Sequence, residues 1–405
     1  ASGFLGSING SAVANVVTTG TFTIPLMKKT GYSKEFAGSV EATASVGGQL
    51  LPPIMGAAAF VMAETLGVQY GVIIRAAVIP ALLYYGGILV QVQMRATKEH
   101  LNGLPKEQMP KPGKVMRERG HLLIPIAFLL YMLIWSGKTV IFSAFWTIVV
   151  TILVAELRPI SRMSFKDICD AFVAGAKSTV SVAIACACVG IIVGVCGMTG
   201  FALNVAHAII RIGQHSVLLT LVFTMITCMI LGMGLASGPA YIVTAIAVGP
   251  ALADMGFPLM TAHFIMMWFS IDSEITPPVG LASIVGAGIA NADPMKTMFT
   301  AFKYAKALYI LPILFYYRPA LLLQSSLFDI ALTFVTVMLG LIAFAAVWEN
   351  YLMRRTTLLE RILLLGGALL LFIPGHIWDF AGIGLFTIVY CLQRYYCPAG
   401  FRQTA

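Results

Sequence analysis

Between residues 4 and 392 the chain is a succession of apolar stretches, many near the length needed to cross a hydrocarbon layer, set between short polar turns. About 20 such residues make a spanning helix. Backbone groups left unpaired in hydrocarbon are so costly that only helices and closed barrels cross it. Apolar residues make up 59 % of the 405 and charged residues 11 %, against about 25 % charged in soluble domains. No single water-soluble core holds that much hydrocarbon, so the class is an all-α polytopic membrane protein with the lipid bilayer as its surroundings.

The formal charge of +9 raises the question of nucleic acid. No basic patch interleaved with aromatics accompanies it, so nucleic acid is not expected as a partner. The seven cysteines, Cys169, Cys186, Cys188, Cys196, Cys228, Cys391 and Cys397, lack metal-type spacing and read as reduced packing residues. His207, His215, His263 and His376 share no ligand spacing and read as interfacial. Trp135, Trp146, Trp268, Trp348 and Trp378 fall mostly near span ends, as membrane belts do. The chain opens in Gly-rich membrane-like sequence with no Met and no charged leader, so an N-terminal portion of the native protein is expected to be missing.

Two stretches are broken near their middles, 4 to 30 and 217 to 253, and each reads as a re-entrant hairpin. Each is followed by a span interrupted by a Pro pair, at Pro52–Pro53 and at Pro277–Pro278. Amphipathic pieces are expected at 164 to 177 and 201 to 214, with a span at 178 to 200 between them. With both hairpins entering and leaving on one side, the turns at 28–34, 93–121, 156–167, 291–306, 348–361 and 393–405 share a face carrying 21 of the 26 Lys and Arg. Lys138, Arg211 and Arg318 fall opposite, and Arg75 and Lys177 lie in or beside spans. That asymmetry marks the first face as cytoplasmic, and the hairpins then enter from opposite sides.

Pro25 closes the first hairpin and Pro250 the second; in both, the Pro pair follows 27 residues later. One offset of 225 aligns both units and places Ser45 on Ser270, Gln49 on Glu274 and Ile54 on Val279. Matched spacing with opposite entry is the signature of an inverted repeat. Unwound backbone at mid-depth survives only against protein or a water-filled cavity. Freed carbonyls suit Na⁺, and helix N-termini aimed at the same point suit a carboxylate. The units are 1–92 (first repeat), 93–121 (basic linker), 122–177 (scaffold and interfacial helices), 178–320 (second repeat) and 321–405 (extra C-terminal helices).

Four stretches are recognisable: GSINGSAVANVVTTGTFTIPLMKKTGY at 6 to 32, FAGSVEATASVGGQLLPPIMGAAAFVMAE at 36 to 64, LGMGLASGPAYIVTAIAVGPAL at 231 to 252 and ITPPVGLASIVGAGIANADPMKT at 275 to 297. Together they resemble the large membrane subunit of tripartite ATP-independent periplasmic (TRAP) transporters. The ADPMKT ending and the extra helices are similar to the TAXI branch, whose permeases are commonly fused. The resemblance implies an elevator-type secondary importer of small organic acids in the bacterial inner membrane. Such a transporter is fed by a periplasmic substrate-binding protein, works with a small four-helix membrane subunit or a fused N-terminal region, and is driven by a cation gradient, with Na⁺ favoured. No cofactor beyond the coupling ion, Na⁺ or H⁺, is implied, and no transition metal.

Ser11 and Asn15, at the first tip, ligate a cation or cap a half-helix. Gly47, Gly48 and Leu50 offer carbonyls at the first break, where Pro52 prevents re-closure of the ladder. Gly234, Ser237, Gly238 and Thr244 are the counterparts in the second hairpin, facing Asp272, Ser273, Glu274 and Thr276. The cation set is therefore Ser11, Asn15, Gly47, Leu50, Pro52, Gly238, Thr244, Asp272, Glu274 and Thr276; the substrate set is Ser45, Gly48, Gln49, Ser237, Ser273 and Arg75. Intramembrane carboxylates mark ion paths, yet Asp272 and Glu274 are two apart and cannot share a helix face, so one of them faces the cavity. The resemblance favours Glu274, which matches the acidic position before the family's T-P-P triplet. Either carries a proton, binds Na⁺ or pairs with Arg75 or Lys177. Arg75 clamps a substrate carboxylate, pairs with Glu64 or snorkels; Glu41 and Glu64 flank the first broken span as solvated charges. No H-E-x-x-H or paired catalytic aspartates support an intramembrane enzyme, and an ion channel would favour continuous pore helices. The nearest rival is an elevator-type carboxylate symporter that works without a binding protein.

Overall fold

The computed structural model describes residues 1–101, 103, 112–213 and 216–395. His215, Cys397 and the linker prolines Pro105 and Pro110 lie outside them. Every named element among the described residues is helical.

The first unit opens with α1 (Ser2–Asn9) and α2 (Ala12–Lys29). They form a hairpin because Gly10 takes a φ of 69°, the left-handed conformation glycine adopts without strain. Then come α3 (Lys34–Gly48) and α4 (Ala57–Leu66), separated by the segment 49–56. Pro52 and Pro53 lack the N–H that would continue the ladder, and α5 (Tyr70–Lys98) closes the unit.

Five helices connect the two units: α6 (Pro112–Arg119), α7 (Ile124–Ile134), α8 (Val140–Ala155), α9 (Phe165–Thr199) and α10 (Phe201–Gly213). The separate pieces expected at 164 to 177 and 178 to 200 are one helix of 35 residues. No proline falls between Phe165 and Thr199 to interrupt the ladder, and the helix stops at Gly200, φ 67°. Its length of about 52 Å exceeds the hydrocarbon thickness, so an apolar run and an amphipathic run share one rod.

The second unit repeats the first: a hairpin of α11 (Val217–Gly232) and α12 (Ser237–Asp254), a broken pair α13 (Leu259–Asp272) and α14 (Leu281–Ala290), then α15 (Pro294–Tyr304) and α16 (Lys306–Tyr317). Packing between the units is reciprocal. Helix α2 lies on α14 while α12 lies on α4; α3 lies on α14 while α13 lies on α4. Within each unit the hairpin's first helix lies on the first half of the broken pair, α1 on α3 and α11 on α13.

Where α3 crosses α14 the backbones nearly touch. A Cβ on Gly286 would lie 2.7 Å from the Gly38 carbonyl oxygen, and one on Gly38 would lie 3.0 Å from that of Gly286. Small residues permit this kind of approach in membranes. Around the crossings Trp268 is fully buried, edge-on to Tyr84 at 6.4 Å and to Phe315 at 5.3 Å. Trp268 is therefore a core residue rather than part of the belt, whereas Trp135, Trp146, Trp348 and Trp378 are exposed as expected. His263 is also buried, with its Nδ1 2.5 Å from the Tyr241 hydroxyl, and is not interfacial.

The tail adds α17 (Leu327–Glu349), α18 (Leu358–Phe372) and α19 (His376–Tyr395), with α17 lying along α5. Buried Arg318, just after α16, fastens the tail to the core. It donates to Asp379 in the first turn of α19 (2.6 Å), to the Ile373 carbonyl at the end of α18 (2.6 Å) and to Thr336 of α17 (3.3 Å). The guanidinium thus meets one helix's C-terminal carbonyls and a carboxylate at the next helix's N-terminus, both favourable to its charge. Among the described residues three helices are long and apolar enough to cross a membrane alone: Tyr70–Lys98, Pro294–Tyr317 (α15 and α16 taken together) and Leu327–Glu349. The shorter apolar helices include α4, α11, α13 and α14, the pieces that hairpins and breaks create.

Candidate functional site

The two breaks meet. Gln49, at the end of α3, donates through Nε2 to Oε2 of Glu274, just past α13, over 2.8 Å. These residues are 225 apart, so each is the other's counterpart under the sequence offset. Both side chains are buried, as are Ser45, Ser237, Thr244, Asp272, Ser273 and Thr276.

Each break is also held against its own hairpin tip. Ser7 of α1 accepts from the N–H groups of Ile54 (3.3 Å) and Met55 (3.2 Å), and the segment closes by Gly56 donating to the Gln49 carbonyl at 2.8 Å. In the second unit Ala282 donates to the Glu274 carbonyl at 2.9 Å, the same closure one residue longer. Ser273 reaches the Gly232 carbonyl of α11 at 2.9 Å. Gly48 is the counterpart of Ser273, and there the approach is closer still: a Cβ would lie 2.6 Å from Gly6 Cα. Gly48→Ala is therefore expected to cost about 1–3 kcal/mol of stability by overpacking, read as a lower unfolding temperature. Gly288→Ala, with no heavy atom within 4 Å of the added carbon, is the control.

The second hairpin crosses to the first break. A Cβ on Gly56 would lie 3.1 Å from Gln49 Oε1 and 3.2 Å from Ser237 Oγ, and one on Gly238 would lie 3.2 Å from Ala57 Cβ. Three helices that begin here, α4, α12 and α14, have N-caps Gly56, Ala236 and Gly280 with no side-chain capping bond. In the first turns, the Ala282 N–H of α14 donates to the Glu274 carbonyl and the Ser237 N–H of α12 to the Glu274 carboxylate. Helix α2 differs, because Ser11 accepts from the Ala14 N–H at 3.4 Å.

Asp272 is fully buried, and neither carboxylate oxygen meets a donor among the described residues. Its own backbone carbonyl accepts from the Thr276 hydroxyl at 2.6 Å, and that hydroxyl is 3.0 Å from the Tyr309 hydroxyl. Oδ1 of Asn15 and Oε1 of Gln49 are buried without a partner as well. Unpartnered acceptors of this kind are costly to bury.

Several residues stand elsewhere. Ser11 is exposed and caps α2. Asn15 ties the hairpin together, its Nδ2 donating to the Ser2 carbonyl and to Ser45 Oγ, each at 2.8 Å. Gly47 leaves room for the Tyr84 ring, which a Cβ would approach to 2.1 Å; Leu50 is fully buried and Pro52 half-buried. Gly234 sits in the second tip with φ 74°. Arg75 is exposed on α5, donating to the Gly71 carbonyl at 3.2 Å. Among the described residues neither Arg75 nor Lys177 pairs with Asp272 or Glu274, and no ion pair joins Arg75 to Glu64.

Glu64 is exposed, but Glu41 is not a solvated end charge. It is 2 % exposed and ringed by hydroxyls of Ser2, Thr19, Thr23 and Ser45. The signal was present as spacing, since Thr19 and Thr23 share a face of α2 and Glu41 and Ser45 share a face of α3.

Paired hairpins and broken helices around a buried polar centre, in a chain of apolar helices, define a multi-pass membrane transporter. The family model of the tripartite ATP-independent periplasmic transporter DctM component matches residues 1–321, and the chain belongs to that family. DctM is a transport component, not an enzyme family, and serves tripartite systems that also include a binding protein and a small membrane subunit. A search of curated proteins finds no match.

Proposed function

We propose that this chain is the core of a cation-driven importer of small organic acids in the bacterial inner membrane, fed by a periplasmic binding protein. In this reading the two units are an inverted repeat with re-entrant hairpins, and they move as an elevator against the remaining helices. The uncapped N-termini of α4, α12 and α14 receive the substrate carboxylate, with Gln49, Ser237 and Ser273 beside it. Asp272, with the carbonyls freed at the two breaks, receives the coupling cation, for which Na⁺ is favoured. The TAXI-like tail suggests a fused permease, and a small membrane subunit or its fused equivalent completes the complex.

The observation that carries this reading is the contact between Gln49 and Glu274. It sets two unwound segments and two hairpin tips around one buried point, which alternating access requires. The test is uptake by proteoliposomes holding the complete transporter, with its binding protein outside. Organic-acid accumulation under an inward Na⁺ gradient, absent without the binding protein, is expected. Uptake without the binding protein would replace this reading with a stand-alone symporter. Silence under both Na⁺ and H⁺ gradients would remove it.

A further inference from the structure

Two hollows beside the tail are lined by residues that the transport reading leaves unused, and they join. The first is an apolar groove of about 630 Å³ between Leu218 of α11, Ile310 and Ile313 of α16, Phe344 of α17 and Leu369 of α18. The second is a polar pocket of about 180 Å³ just beyond the end of α16, lined by Arg318, Ser325, Asp329, His376 and Asp379 among others. Tyr317 and Pro374 line both, so the groove runs into the pocket. Helices α11 and α16 belong to the family match, whereas α17 and α18 lie beyond residue 321.

No charged side chain lines the groove, and Leu218 and Leu369 on its walls are exposed. In a membrane such a hollow is filled by lipid or by another protein, and length separates the two. From Ile310 to Tyr317 a helix rises about 10 Å, which fits inside one half of a hydrocarbon layer about 30 Å thick. A partner helix crossing the layer needs a seam of its full depth. An acyl chain needs one leaflet only, with its head group where the polar pocket stands. Tyr317 sits at that level, as aromatic rings do at membrane interfaces.

Charge then selects the head group. Arg318 is taken by Asp379 at 2.6 Å and by the Ile373 carbonyl. Asp329 is half-buried, its Oδ2 accepting from the Ser326 hydroxyl at 2.7 Å, and it joins no ion pair among the described residues. His376 aside, two carboxylates stand against one guanidinium, and the pocket lacks a cation. On its other wall Gly375 and His376 open α19, a helix of 20 residues, and a helix N-terminus suits a phosphate. A phosphate and an ammonium side by side are the head of phosphatidylethanolamine. Phosphatidylglycerol brings the phosphate without the cation.

We propose that the groove and pocket together bind one phospholipid with a primary-amine head group. Its acyl chain lies along α16, its phosphate at the start of α19 and its ammonium at Asp329. The lipid thereby seals α11 and α16 to the tail. This goes beyond the transport reading and does not rest on it.

Native mass spectrometry of the purified full chain tests the site, with phosphatidylethanolamine or phosphatidylglycerol of identical acyl chains added. One phosphatidylethanolamine per chain is expected to bind in preference to phosphatidylglycerol. Asp329→Asn is expected to cut that preference about fivefold, the scale of one partly exposed ion pair, and Ile313→Trp, which fills the groove, to weaken both lipids. Equal binding of the two lipids by the parent, or a preference unchanged in Asp329→Asn, would overturn the proposal. So would cross-linking of Ile313→Cys to a second protein chain in place of lipid. A parent that takes up no organic acid would remove the transport reading and leave this result standing.

Discussion

Asp272→Asn is expected to yield a protein at least as stable as its parent whose transport no longer follows the cation gradient. The side chain is fully buried with neither oxygen partnered among the described residues, and an unsatisfied buried polar group costs about 1–3 kcal/mol, more when charged. An amide of the same shape removes the charge and fills the same space. A structural carboxylate behaves oppositely, because its loss strands the groups that bonded to it. The apparent cation affinity should weaken by about 5- to 150-fold, the usual range of a coupling energy. Thermal unfolding and cation titrations of uptake check the two halves. An unstable variant with parental cation dependence would make Asp272 a packing residue and move the cation elsewhere. Glu274 is bonded to Gln49, so Glu274→Gln should change both quantities less.

The second large effect is expected where the tail joins the core. Arg318→Ala should cost about 3–5 kcal/mol, the penalty for stranding one partner of a buried ion pair. Asp379, 2.6 Å from the guanidinium and almost fully buried, would be left uncompensated, along with the Ile373 carbonyl. Replacing both partners, Arg318→Leu with Asp379→Leu, should recover most of the loss, since apolar residues often substitute for a buried pair at little cost. Denaturation of the solubilised protein, with the single and double variants side by side, measures both. A double variant as unstable as Arg318→Ala would show that the carbonyl contacts, not the ion pair, hold the tail.

The periodic and positional parts of the architecture were legible. The pairs Pro52–Pro53 and Pro277–Pro278 fall between α3 and α4 and between α13 and α14, where two successive residues lack the donor, whereas the single Pro25 and Pro250 lie inside α2 and α12. The ranges of α9, Trp268 and His263 were misread for one reason: amphipathicity and residue type say what a position tolerates, not what covers it. Glu41 is the sharpest instance. Beside an apolar span it looked like an end charge, and the hydroxyls that bury it come from α1 and α2, 18 to 39 residues away.

By itself the sequence determined that this chain is a run of apolar helices and that two of them are interrupted at their Pro pairs. Those properties follow from hydrophobicity and backbone chemistry, which act locally. Tertiary structure alone decided which buried acids find donors: Glu274 meets Gln49, Glu41 meets a ring of hydroxyls, and Asp272 meets none among the described residues. Partners supplied by other helices depend on how the helices cross, and crossing is fixed by close approaches such as Gly38 on Gly286 that no single stretch of sequence contains.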